Sequence, residues 1–129
     1  MCYNMGMFDV PTYLYHRTTV KAYTQIMADG KIRHSGTPAS HWRFKCLKFD
    51  EFGRENEDWG VFLAKNANIT RGLVWEGDIV LTIRTSKLKK RKLIHDNHVS
   101  RREYGKSFIY KDDIPVSEIV KVIDDPYKR

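Results

Sequence analysis

At 129 residues, 41% of them hydrophobic, the chain supports one sizeable core and falls short of two ordinary domains. With 30% charged and 12% aromatic residues, the composition is that of a folded domain and not of a disordered one; no apolar run approaches the ~20 residues of a membrane-crossing helix. The net charge of +7 is concentrated. Seven Lys or Arg lie between Ser86 and Arg102 against a single Asp96, while five acids gather between Asp50 and Asp58 around Arg54.

A basic cluster of that density raises a local positive potential, which favours a polyanionic partner over a merely solvated loop. The start, Met1 to Met7, has neither a basic region nor a long apolar stretch, so no secretory signal is expected. Cys2 and Cys46 lack a short CxxC spacing and read as two free thiols of a reducing, cytoplasmic setting. The sequon Asn68-Ile69-Thr70 stands without any other sign of secretion and is set aside.

In chain order, Tyr13 to His16 predicts a first strand, rich in residues suited to a pleated surface. Thr18 or Thr19 then caps a helix in which Val20, Tyr23, Ile26 and Met27 recur at helical spacing, and Asp29-Gly30 ends it. Lys31 to Arg33 reads as a short strand before a polar loop from His34 to Arg43. Residues 44–52 are ambiguous, and the acidic stretch 54–58 is an exposed loop. Trp59 to Ala64 reads as a buried strand, and Asn66 caps a short helix ending near Gly72. The clearest strand is Ile79 to Thr85, with Ile79, Leu81 and Ile83 on one face. The basic segment follows as a loop or partial helix. Ser107 to Lys111 and Glu118 to Ile123 read as strands joined by a turn at 112–115. Residues 1–11 and 125–129 are expected to fray. The order predicts a single α+β domain, 1–129, with an antiparallel or mixed sheet and one main helix near the N-terminus.

Several of these pieces resemble one superfamily. Leu14-Tyr15-His16-Arg17-Thr18-Thr19, followed by a helix closing at Asp29-Gly30-Lys31-Ile32, resembles the opening of ADP-ribosyltransferase-like folds. Trp59-Gly60-Val61-Phe62-Leu63-Ala64 is similar to a later strand of those proteins. Gly77 to Leu88 resembles the core strand, and Ser107 to Ile119, with Ile114-Pro115 inside it, resembles the ending.

The resemblance implies a split sheet that cradles NAD. His16 would hydrogen-bond the nicotinamide ribose. Tyr15, Arg17, Thr18, Thr19 and Gly60 would line the cofactor site, with Phe62 in place of the usual tyrosine against the nicotinamide ring. Transferases of this kind often carry a glutamate on the strand before the Ile-Pro turn. Ser107 stands there in this sequence, Glu103 lies four residues earlier, and Glu118 follows the turn. Glu103 is therefore the candidate catalytic carboxylate beside His16 and Phe62. An RNA 2′-phosphotransferase branch of the superfamily uses His and Arg instead, for which Arg17, Arg43, Arg54 and Arg71 are the available cations.

Lys87, Lys89, Lys90, Arg91, Lys92, Arg101 and Arg102 are candidate phosphate contacts. Tyr104, Phe108 and Tyr110 are base-stacking candidates, although strand spacing puts Phe108 and Tyr110 on one face that the core also claims. His95 and His98 have HxxH spacing, with Asp96, His34, His41 and Cys46 as further candidate ligands. Two histidines in a basic loop fall short of the three or four convergent ligands of a zinc site, so no metal is expected. No Walker loop, GxGxxG, HExxH or GxSxG motif occurs. The expected function is NAD-dependent ADP-ribosyl transfer to a nucleic acid or a nucleic-acid-associated protein. The alternative is a catalytically silent member of the same fold, acting as a basic binding regulator or inhibitor.

Overall fold

A computed structural model describes residues 10–34, 60–72, 77–95 and 107–126, with side chains through Thr70 in the second of these segments. Among the described residues, no helix is long and apolar enough to cross a membrane. The elements are β1 (Tyr13–Thr18), α1 (Val20–Asp29), β2 (Lys31–Ile32), β3 (Val61–Ala64), α2 (Ile69–Gly72), β4 (Ile79–Arg84), β5 (Leu93–His95), β6 (Ser107–Tyr110), β7 (Ile114–Pro115) and β8 (Ile119–Asp124). Short 3-10 turns at Lys90–Lys92 and Val116–Glu118 precede β5 and β8. The domain is α+β, as its pattern predicts, and its described ladders are all antiparallel.

Local chemistry sets the ends of α1. Thr19 is the cap that forms: its hydroxyl accepts from the Ala22 amide at 3.0 Å, and its carbonyl accepts from the Tyr23 amide at 2.9 Å. At the other end Gly30, in the left-handed region at φ 77°, donates its amide to the Ile26 carbonyl. Asn66 likewise begins α2 by accepting from the Ile69 amide at 3.0 Å.

Six strands form one sheet in the order β5-β6-β3-β1-β4-β8; β2 and β7 form a small second sheet. The stretch read from sequence as a turn at 112–115 therefore contains strand β7, which pairs Lys31 with Pro115 and Ile32 with Ile114. Its partner lies far away in sequence, which is why no local signal announces it.

Cross-strand partners project to the same side of a sheet, so the registers sort the residues into two faces. One face carries Leu14, Val61, Leu63, Leu81, Ile83, Leu93, Phe108 and Tyr110. It packs with Ile26 of α1, with Ile32 and Ile114 of the small sheet, and with Leu88 into the main core. The other face carries Tyr15, Arg17, Phe62, Ala64, Val80, Thr82, Ser107 and Ile109, and α2 sets Ile69 against Ala64 and Phe62 there. Each fully buried Leu or Ile of the main core contributes about 1.5–3 kcal/mol by leaving water.

The sheet is not paired evenly. The β1–β4 ladder runs unbroken from Tyr13↔Arg84 to Thr18↔Ile79, and β3–β6 runs from Val61↔Tyr110 to Ala64↔Ser107. Between these two halves, β1 and β3 meet at Tyr15↔Ala64, and the described register carries no further pair.

Candidate functional site

His16 follows Tyr15, the residue at which β1 pairs with β3. Its side chain is 7% exposed, and its Nδ1 lies 2.8 Å from the Phe62 carbonyl on the facing strand. A carbonyl only accepts, so Nδ1 carries the proton and Nε2 is the acceptor nitrogen of the neutral ring. Burial pushes the His16 pKa below the ordinary imidazole value, with the Phe62 hydrogen bond pulling the other way. The ring is thus held neutral, in a fixed tautomer, and buried on the Leu14 and Leu81 face.

Phe62 is half-buried and by register stands with Ala64 and Ile109, whereas His16 stands with Leu14 and Leu81. The two side chains therefore leave their strands toward opposite faces. What joins them is the imidazole reaching the Phe62 backbone across the gap, not one ring beside the other. The glycine before β3 is explained without a ligand. A Cβ on Gly60 (φ 141°) would overlap Ile109 Cγ2 and sit 2.7 Å from the Tyr110 carbonyl oxygen, so the close neighbour that it admits is strand β6.

Arg17 departs from its expected place in a cofactor site. Its guanidinium is buried and built into the fold: Nε donates to Thr70 Oγ1 at 3.0 Å, and Nη1 to the Gly77 and Asp125 carbonyls at 2.8 and 2.9 Å. Nη2 pairs with the Asp125 carboxylate. One side chain thus ties β1 to α2, to the start of β4 and to the end of β8. Thr18 is buried at the end of β1 and Thr19 serves as the helix cap, while Tyr15 is half-buried on the Phe62 face.

Ser107, at the position where the resemblance expects a carboxylate, begins β6 on the Phe62 face. It is fully buried, and its hydroxyl has no hydrogen-bond partner among the described residues. Thr82 shares this property, and the registers put the two in one row across the sheet: Ser107, Ala64, Tyr15, Thr82. Glu118 is also buried, but it turns to Arg84 at 3.4 Å and accepts from Ser117 Oγ at 2.8 Å. Glu103 lies outside the described residues, as do Cys2, His41, Arg43, Cys46, Arg54, Asp96, His98, Arg101, Arg102 and Tyr104; so does the side chain of Arg71.

The basic stretch is an ordered turn. Leu88 and Leu93 are its buried ends, and Lys87, Lys89, Lys90 and Arg91 between and beside them are exposed. Lys92 is engaged, with its ammonium 2.7 Å from Asp112, and that contact holds the Asp112 carboxyl below its usual range. Phe108 and Tyr110 are 3% exposed and belong to the core, which removes them as base-stacking surfaces.

A grouping that no sequence signal identified is His34 with Asp112 and Asp113. His34 Nδ1 lies 2.5 Å from Asp113 Oδ1, and the three residues' potential ligand atoms fall within 4.8 Å of one another. Each carboxylate also holds a lysine, Lys31 on Asp113 at 3.2 Å and Lys92 on Asp112. Burial raises the Asp113 pKa, but the His34 amide and imidazole outweigh it and bring it below the usual carboxylate value. The group has the charge balance of an ion-pair network. His95, the described member of the HxxH pair, sets its ring 5.0 Å from that of Phe108, and burial lowers its pKa.

In comparisons with known proteins, no family model, no curated protein and no solved structure matches this chain.

Proposed function

We propose that the chain is an ADP-ribosyltransferase-like domain that takes NAD into the split between β1 and β3. The observation that carries this reading is the sparse pairing of those strands, which share the Tyr15↔Ala64 pair alone in the described register, with a neutral, buried His16 bonded across to β3. The Phe62 carbonyl holds Nδ1–H and so directs Nε2 to accept from a ribose hydroxyl. In transfer, the bond from the ribose C1′ to nicotinamide breaks and nicotinamide leaves with the electron pair. The oxocarbenium centre is then attacked by an acceptor on a nucleic acid or a nucleic-acid-associated protein, and the acceptor loses its proton to solvent or to a carboxylate.

A second reading has its own support. Ser107 stands where the transferases' glutamate is expected, so a silent member of the fold that binds NAD or a partner without transfer fits the same residues. Calorimetry with NAD, together with a labelled-NAD transfer assay on RNA, DNA and protein, separates the outcomes. Saturable binding weakened at least tenfold by His16→Ala supports the site, and label on an acceptor supports the enzyme. Binding without label supports the silent form. A folded sample that binds no NAD rejects both.

A further inference from the structure

We propose that the turn from Lys87 to Arg91 is a preformed platform for the phosphate backbone of nucleic acid, one that engages charge and ignores base sequence. This goes beyond the NAD reading and uses none of its residues. Hydrogen bonds along the turn hold its backbone. The Leu88 amide donates to the Thr85 carbonyl at 3.0 Å, and the Lys92 amide donates to the Lys89 carbonyl at 2.9 Å. The Lys111 amide reaches the Lys92 carbonyl at 2.8 Å. The Lys89 amide donates to the Tyr110 hydroxyl at 2.9 Å, so a core aromatic on β6 clamps the middle of the turn. Thr85, at its base, gives its hydroxyl to the Pro11 and Thr12 carbonyls.

On this scaffold Lys87, Lys89, Lys90 and Arg91 are exposed, and among the described residues no carboxylate lies within ion-pair distance of any of them. The nearby acid, Asp112, is already neutralised by Lys92. Four like charges held together, with no carboxylate paired to any of them among the described residues and Asp112 attracting Lys89 only at longer range, cost self-repulsion, which a bound polyanion relieves. Because the backbone is ordered beforehand, binding does not have to order it. The neighbouring aromatics Phe108 and Tyr110 point into the core, so the platform has no stacking surface for bases among the described residues. Contacts limited to phosphates position a duplex and do not specify its sequence.

The test is fluorescence anisotropy of the whole chain, without NAD, on two short duplexes of unrelated sequence across a salt series. Both duplexes are expected to bind with equal affinity within about twofold. For up to four phosphate contacts, log K falls against log salt with a slope of about −3 to −4, a loss on the order of 10²-fold between about 50 and 200 mM. The combined variant Lys89→Glu, Lys90→Glu, Arg91→Glu flattens that slope and weakens binding at least tenfold, while Lys121→Glu, exposed on β8, leaves it unchanged. Tyr110→Phe weakens binding a few-fold at the same slope, because it unclamps the turn without removing a charge. The proposal is overturned by no binding at low salt, by strong preference for one duplex, or by a charge-reversed variant that binds like the parent. Binding to phosphatidylserine vesicles without binding to either duplex also overturns it. NAD calorimetry on the same charge-reversed variant stays at the parent value if the two sites are separate.

Discussion

His16 is neutral in the fold because burial disfavours its charged form, and this has a thermodynamic signature. Its folded pKa lies below the unfolded value of about 6.5, so in mildly acidic solution the unfolded chain binds more protons than the folded one. Stability contributed by this group is complete above pH ~6.5 and declines as the pH falls toward the folded pKa. His16→Gln, which keeps a donor for the Phe62 carbonyl, is expected to shallow the loss of stability between about pH 6.5 and pH 5. Denaturant midpoints at the two pH values measure it; an unchanged slope would mean that the ring is not held neutral. Arg17 makes a separate prediction. Removing one partner of a buried ion pair leaves the other uncompensated, so Arg17→Met is expected to cost about 3–5 kcal/mol in urea unfolding. Arg17→Lys recovers only part of that, since a single ammonium cannot reach Thr70, Gly77 and Asp125 together. A full recovery would show that charge, not the planar fork, is what matters there.

At the scale of elements, the parts written locally were legible. The cap at Thr19, the stop at Gly30, the strand Ile79–Arg84 and the Asn66 cap each follow from a few adjacent residues. What was not legible depends on partners distant in the chain. Nothing near Ile114-Pro115 announces that these residues pair with β2, and nothing near Arg17 announces Asp125, 108 positions away. The single-pair register of β1 with β3 is of the same kind, since a sequence shows registers only through alternation. Gly77 shows how tightly one side of that seam is built. A Cβ there would overlap the Thr18 carbonyl, and its φ of 124° is strained for other residues. Gly77→Ala is therefore expected to destabilise by at least about 1–3 kcal/mol, read as a lowered denaturant midpoint. Parent-like stability in that variant would mean that β1 and the start of β4 do not approach so closely.

At the scale of the molecule, the basic turn and the β1–β3 seam are built from different residues. The clustering of basic residues was plain in the sequence, but not that Lys87, Lys89, Lys90 and Arg91 would stand exposed on a turn clamped by Tyr110, with Lys92 withdrawn to Asp112. The candidate site was half legible in the same sense. His16 was singled out, while its bond to the Phe62 carbonyl, the structural duty of Arg17 and the Ser107 hydroxyl, which has no partner among the described residues, required the fold. The proposed function requires that a dinucleotide be admitted between β1 and β3 beside His16. NMR of the His16 imidazole nitrogens during titration with NAD tests it most directly. A saturable shift centred on Nε2 is expected, with Nδ1 still bonded to the Phe62 carbonyl. Imidazole signals that stay fixed through a large excess of NAD, in a folded sample, would contradict it.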